Sequence, residues 1–151
     1  MGFGVSGSTA VIFLGVLIAS GTLYTATAGS AERVSEASDA ESEALLDRRN
    51  TAIDATEVVY NTSSSNDTLR ITVTNGGTTA LSAEDTSLLV DNEYVPPGER
   101  STTVDGDTAT DVWAPDQSLV IETTRSSTPD RVKVVAENGV AASNTTVEAV
   151  S

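Results

Sequence analysis

Two regimes of hydrophobic patterning divide this chain. The run AVIFLGVLIAS from Ala10 to Ser20 is almost continuously apolar, and no charged side chain occurs from Met1 to Ala31. A helix needs about 20 apolar residues to cross a bilayer core, and Thr9 to Ala28 supplies that length. The pattern predicts a membrane-anchor helix over residues 1–30. Residues 31–50, AERVSEASDAESEALLDRRN, are rich in Ala and Glu, with Val34, Ala37, Ala44 and Leu45 forming a weak apolar stripe. No proline precedes Pro96, so nothing of that kind interrupts a helix running on from the anchor. We read this segment as an acidic helical stalk, a disordered acidic linker being the alternative.

From Thr51 the period changes to two. Leu69, Ile71 and Val73 alternate with Arg70, Thr72 and Thr74 and end at Asn75-Gly76-Gly77, a turn whose residues tolerate positive φ. Comparable units are Ala55 to Tyr60, Thr86 to Val90, Glu93 to Val95, Arg100 to Val104, Ser118 to Thr124, Arg131 to Glu137 and Val140 to Val147. Turn chemistry separates them: Asp91-Asn92, Pro96-Pro97-Gly98, Asp105-Gly106, Pro115-Asp116, Thr128-Pro129-Asp130 and Asn138-Gly139. Seven or eight short strands with no helical pattern among them predict a mainly β domain over residues 51–151, an immunoglobulin-like β-sandwich.

Charge changes the picture of what the domain meets. There are 22 acidic residues against 8 basic ones, a formal net charge of -14, and Lys133 is the sole lysine. Phosphate backbones repel such a surface, so nucleic acid is not an expected partner. At molar salt the Debye length falls to about 3 Å and self-repulsion is almost absent, so the composition points to a salt-loving archaeon. The cations therefore stand out. Arg131 and Lys133 lie two apart on one predicted strand and share a face, with Val132 and Val134 turned the other way and Arg125 nearby. This face is a candidate contact for an acidic partner; pairing with the domain's own carboxylates is the alternative.

With no histidine and no cysteine, disulfides, thiolate or imidazole metal sites and His-based nucleophilic catalysis are excluded. Carboxylate chemistry or a Ser/Lys pair built on Lys133 is what remains, and we expect neither an enzyme nor a cofactor. The loop DGDTATDVWAPD, Asp105 to Asp116, lacks the mid-loop glycine and terminal glutamate of a calcium hand and reads as solvated. Trp113 is expected to pack in or at the rim of the core, the alternative being a ligand platform. Three sequons, at Asn61, Asn66 and Asn144, are candidate glycosylation sites, although chains this rich in Asn, Ser and Thr produce such tripeptides by chance.

The N-terminus carries two readings. Ala26-Thr27-Ala28 fits a secretory cleavage site, but Met1 to Ser8 has no positive n-region, which favours an uncleaved anchor. The first basic residue, Arg33, lies beyond the apolar run, so the positive-inside count opposes export of the C-terminal part; long domains translocate largely regardless of that count.

Taken whole, the chain resembles the archaellum stator protein F family (FlaF) of haloarchaea. The resemblance rests on MGFGVSGSTAVIFLGVLIASGTLYTA, RRNTAI, LRITVTNGGTTALSAEDTSLLVDNEYV, DTATDVWAPDQSLVIE and PDRVKVVAENGVA, with the anchor, DVWAPDQ and VKVVAENGV the specific parts. It implies a single-pass protein of the cell membrane whose domain lies between the membrane and the surface layer. It also implies binding to the surface-layer protein, cooperation with a sister stator protein G, and anchoring of the rotary archaellum for swimming. No contact residue carries over position by position, and a homodimer is left open. The basic residue that precedes the apolar segment in archaellins and pilins is missing here, which the resemblance reads as a departure from filament subunits. A pilin-like or archaellin-like filament subunit remains the first alternative. A secreted β-sandwich that binds a ligand is the second; it needs an exposed aromatic platform, for which Tyr60, Tyr94 and Trp113 are the aromatics outside the anchor.

Overall fold

The computed structural model describes residues 3–62 and 67–151. Among the described residues one helix, α1 (Phe3–Asn50), is followed by eleven strands: β1 (Ile53–Asn61), β2 (Thr68–Asn75), β3 (Leu81–Ser82), β4 (Ser87–Val90), β5 (Glu93–Val95), β6 (Arg100–Val104), β7 (Val112–Trp113), β8 (Ser118–Thr124), β9 (Val132–Val135), β10 (Ala141–Asn144) and β11 (Glu148–Val150). The chain divides into two compact units, Met1–Glu43 and Ala44–Ser151. The division falls within α1, seven residues before its end. The reason lies in side chains: Arg48 donates from Nε to the Asn138 carbonyl at 2.9 Å, and Thr51 donates to the Asp47 carbonyl at 2.7 Å. The last turns of the helix thereby belong to the β unit.

In the first unit, Val11, Ile12, Phe13, Leu14, Val16, Leu17, Ile18 and Leu23 are all exposed. The helix is long and apolar enough to cross a membrane, with a mean hydropathy of 1.8 over its most apolar window. The Ser20 and Thr27 hydroxyls are compatible with an apolar setting, because Ser20 bonds back to the Val16 carbonyl at 2.7 Å and Thr27 to the Leu23 carbonyl at 2.9 Å. Residues 31–43 continue the helix, and Val34 on the weak stripe is exposed.

The second unit contains a five-stranded sheet in the order β11-β1-β2-β8-β6, a four-stranded sheet β10-β9-β4-β5 and the short pair β3-β7. Period-two patterning places Leu69, Ile71 and Val73 of β2 and Leu119 and Ile121 of β8 in one hydrophobic cluster with Leu88 and Val90 of β4 and Val132 and Val134 of β9. Each such side chain contributes about 1.5–3 kcal/mol on full burial. Trp113 is fully buried in the same cluster and donates from Nε1 to the Gln117 carbonyl at 2.8 Å, so it is a packing residue and offers no platform.

The strands differ from the sequence pattern in three places. Within Val140 to Val147 only Ala141–Asn144 forms a strand, β10, which ends where the Asn144 side chain donates to the Ala55 carbonyl at 3.0 Å and accepts from the Thr146 amide at 2.8 Å. The chain then turns, and β11 pairs parallel with β1. Arg131 precedes β9, its amide being taken by Asp91 Oδ1 at 2.9 Å. The two-residue pair β3-β7 is too short to show a period.

The turn Asn75-Gly76-Gly77 works differently from its sequence reading. Neither glycine has positive φ; that conformation is found at Asp91, Asn92, Asp105, Asp116, Gly106 and Gly139. Gly77 is required by proximity, since a Cβ there would lie 2.4 Å from the Asn50 carbonyl oxygen and 2.6 Å from the Ala52 nitrogen. At Gly76 the nearest atom is 3.9 Å away. We therefore expect Gly77→Ala to destabilise the protein by about 1–3 kcal/mol, as overpacking does, and Gly76→Ala to be near neutral. Denaturant melts of both variants check this; equal stability of the two would contradict the clamp.

Candidate functional site

The outer face of the four-stranded sheet gathers two of the three cations singled out by sequence. Register sets a row across it: Tyr94 of β5 opposite Leu89 of β4, Leu89 opposite Lys133 of β9, and Lys133 opposite Ser143 of β10. A second row runs from Ser87 through Val135 to Ala141. Their strand neighbours Leu88, Val90, Val95, Val132, Val134 and Ala142 are buried, so these rows face outward. No carboxylate stands at any of these outward strand positions. Glu93, the one acid in the four strands, is registered with inward Val90 and so lies on the other side of β5 from Tyr94. In a chain of charge -14, a sheet face of Tyr94, Leu89, Val135, Ala141 and Lys133 is unusual in its chemistry.

Arg131 sits at the end of this face. The β4-β5 hairpin turns through Asp91 and Asn92, both at positive φ, and Arg131 donates from Nη2 to Asn92 Oδ1. Asp91 Oδ1 accepts the amides of Asp130 and Arg131, each at 2.9 Å. The turn thus holds Arg131 with an amide, leaving its charge uncancelled by that partner. Lys133 is exposed, and the one ion pair among the described residues joins other side chains, Arg70 Nη2 and Glu122 Oε1 at 2.6 Å. That pair lies on the outer face of the five-stranded sheet, where β1 also carries Glu57. The two outer faces therefore differ in charge along their strands: one holds acids with a paired arginine, the other Lys133 and apolar side chains, with Arg131 before β9 and exposed Glu137 after it.

Arg125 does not join the face. It follows β8 in the five-stranded sheet, is half-buried, and has its Nε buried without a hydrogen-bond partner among the described residues. Its carbonyl accepts from the Tyr60 hydroxyl at 3.2 Å, and the same hydroxyl donates to Asp67 Oδ2 at 2.8 Å. Of the sequons, Asn61 is half-buried at the end of β1, Asn144 is half-buried with its Nδ2 committed to the Ala55 carbonyl, and Asn66 lies outside the described residues. A glycan on Asn144 would take one of the two hydrogens of that same Nδ2. The apolar members of the outward rows, Leu89, Val135 and Ala141, were not singled out in the sequence; the alternation around Lys133 and the Asp91-Asn92 turn was the signal that could have found them.

A family model of archaeal-type flagellin matches residues 2–146. Among solved structures, the chain is similar to the archaellum periplasmic stator protein FlaG from Sulfolobus acidocaldarius, at TM-score 0.43 and 19% identity over 62% of this chain and 97% of that one. It is also similar to the archaellum periplasmic stator protein complex of FlaF and FlaG from the same organism, at TM-score 0.43 and 19% identity over 61% and 85% of the two chains. At that score neither likeness carries weight for function. No curated protein matches the chain significantly.

The Tyr60 contacts generate a pH dependence. Burial, then the hydrogen bond to and charge of Asp67, hold the Tyr60 phenol above the ordinary tyrosine pKa. The unfolded chain therefore loses this proton first as pH rises, so the contribution is whole below about pH 10 and declines above it. Thermal melts from about pH 8 to 11 should show a steeper alkaline loss for the parent than for Tyr60→Phe. Parallel curves would mean that the phenol titrates alike in both states.

Proposed function

This chain belongs to the archaeal-type flagellin family, and from that premise we propose that it is a non-catalytic structural component of the archaellum, a stator protein of the F type. In this reading α1 is a single-pass anchor in the cell membrane of a halophilic archaeon. The β unit is an immunoglobulin-like sandwich between that membrane and the surface layer. It binds the surface-layer protein, cooperates with the sister stator protein G, and returns motor torque to the envelope so that filament rotation drives swimming.

The observation that carries this reading is the acid-free outer face formed by Tyr94, Leu89, Lys133, Val135 and Ala141. A stationary anchor needs an exposed surface that attracts a large partner in the envelope, and one cationic, partly apolar face on an acidic molecule fits an acidic protein. The resemblance to the F family and the exposed apolar helix support the same reading. The mechanism involves no turnover: load enters at one end of the molecule and leaves through a protein interface.

The flagellin match favours one second reading, a filament subunit whose apolar helix packs in a filament core. A clean gene deletion separates the two. The stator reading expects loss of swimming with archaella still assembled at least in part, because torque needs an anchor and polymerisation does not. Normal motility would overturn it, and loss of the filament itself would favour the subunit reading.

A further inference from the structure

A pocket of about 370 Å³ opens at the β6 edge of the five-stranded sheet, lined by Glu84, Pro97, Arg100, Thr102, Thr108, Ala109, Thr110 and Asp111. None of these residues belongs to the face described above. Arg100 and Thr102 are registered against Thr123 and Ile121, which are buried, so both side chains lie on the inner side of β6, where the sheet ends. Arg100 crosses toward the segment before β4, donating from Nη2 to the Thr86 carbonyl and, at 3.4 Å, to the Glu84 carbonyl. Its Nη1 is buried with no hydrogen-bond partner among the described residues. An unpaired buried donor is costly, and one on a charged group more so. The bond to the Glu84 carbonyl is at the limit of useful length, so Nη2 is held by the Thr86 carbonyl while Nη1 is left needing an acceptor that a bound hydroxyl could supply.

The remaining wall sets the chemistry. Asp111 is spent on the protein: Oδ1 accepts the Glu84 amide at 2.6 Å and Oδ2 the Ser82 hydroxyl at 2.9 Å. Glu84 is an exposed residue of the lining whose carboxylate can accept, and the Thr102 and Thr108 hydroxyls offer both a donor and an acceptor. The lining holds one arginine and two acidic residues, so a free anion is repelled by the balance of charge, while a cation meets Arg100. A neutral group carrying several hydroxyls satisfies both, accepting from Arg100 and donating to Glu84. The volume is in the range of small-ligand sites.

We propose that this pocket binds a neutral saccharide through adjacent hydroxyls, one accepting from Arg100 and one donating to Glu84. The shared chemistry admits a free sugar or a neutral glycan linked to another molecule. Without an aromatic wall, and with every hydrogen bond exchanged against water, affinity is weak, with a Kd on the order of 1 mM.

The test is NMR titration of the full-length chain in a detergent without a sugar headgroup, following the amides of Glu84, Thr102 and Thr108 to Asp111. The probes are glucose, galactose and mannose, their methyl glycosides, and sodium acetate at constant ionic strength. Saturable shifts with at least one sugar, weakened roughly tenfold by Glu84→Ala and by Thr108→Val with the spectrum otherwise unchanged, support the site. A preference for the glycosides identifies a linked glycan, and equal or better binding of the reducing sugars a free one. The proposal is overturned if no probe saturates, if acetate produces the same shifts, or if neither substitution changes the affinity.

Discussion

The exit of the chain from its helix is the constraint on which the β unit depends. Within three residues the backbone passes from α1 into β1, and both sides of that passage are tied to distant sequence. The Asn50 and Ala52 carbonyls accept the amides of Thr78 and Gly76, each at 2.8 Å. Thr51 is buried between them and accepts from Asn138 Nδ2 at 2.6 Å. One short segment therefore holds the turn after β2 and the turn between β9 and β10, one from each large sheet. These are mostly backbone bonds, whose net worth is about 0.5–1.5 kcal/mol each, and they act together because Gly77 lets the two backbones approach. A protein that transmits load through its chain, as we propose, is served by a joint in which the helix end and both sheets share residues.

A second polar centre repeats this logic inside the β unit. Asn75 is fully buried and donates from Nδ2 to the Thr79 and Trp113 carbonyls, at 2.9 and 3.1 Å, while its Oδ1 accepts the Gly77 amide at 3.1 Å. A buried amide with its partners in place rigidifies its surroundings, whereas a partly satisfied one would be costly. Asn75 thus ties the Gly77 turn to the strand of Trp113, and the clamp at Asn50–Ala52 is braced from behind.

Much of this could be read from residues alone, and the failures have a common cause. The helix, the alternation in β2, β8 and β9 and the Asp91-Asn92 hairpin follow from local period and turn chemistry, which a sequence displays directly. Two large sheets over one cluster also follow, because inward positions such as Ile71, Ile121 and Val134 recur every second residue. What escaped was set by contacts distant in sequence. Asn75-Gly76-Gly77 looks like a turn needing positive φ, but its glycine answers to a backbone 25 residues earlier. Asn144 looks like a sequon in mid-strand, yet the strand ends there, its side chain reaching Ala55. Arg125 is near Arg131 in sequence but follows β8, a strand of the other sheet. The candidate face was half legible: Lys133 and its buried neighbours were evident, while the apolar company of Leu89, Tyr94, Val135 and Ala141 depends on strand order.

Charge distribution links this fold to the proposed role. The five-stranded sheet carries Glu57 and the exposed Arg70–Glu122 pair outward, a pair worth about 0.2–1 kcal/mol, while the four-stranded sheet presents no outward acid. Site-specific photocrosslinking in motile cells tests whether this difference marks the partner face. A crosslinker in place of Lys133 should join the chain to the surface-layer protein, and one in place of Arg70 should not. Crosslinks to that protein from Arg70 alone, or from neither position with both variants present in the envelope, would contradict the account.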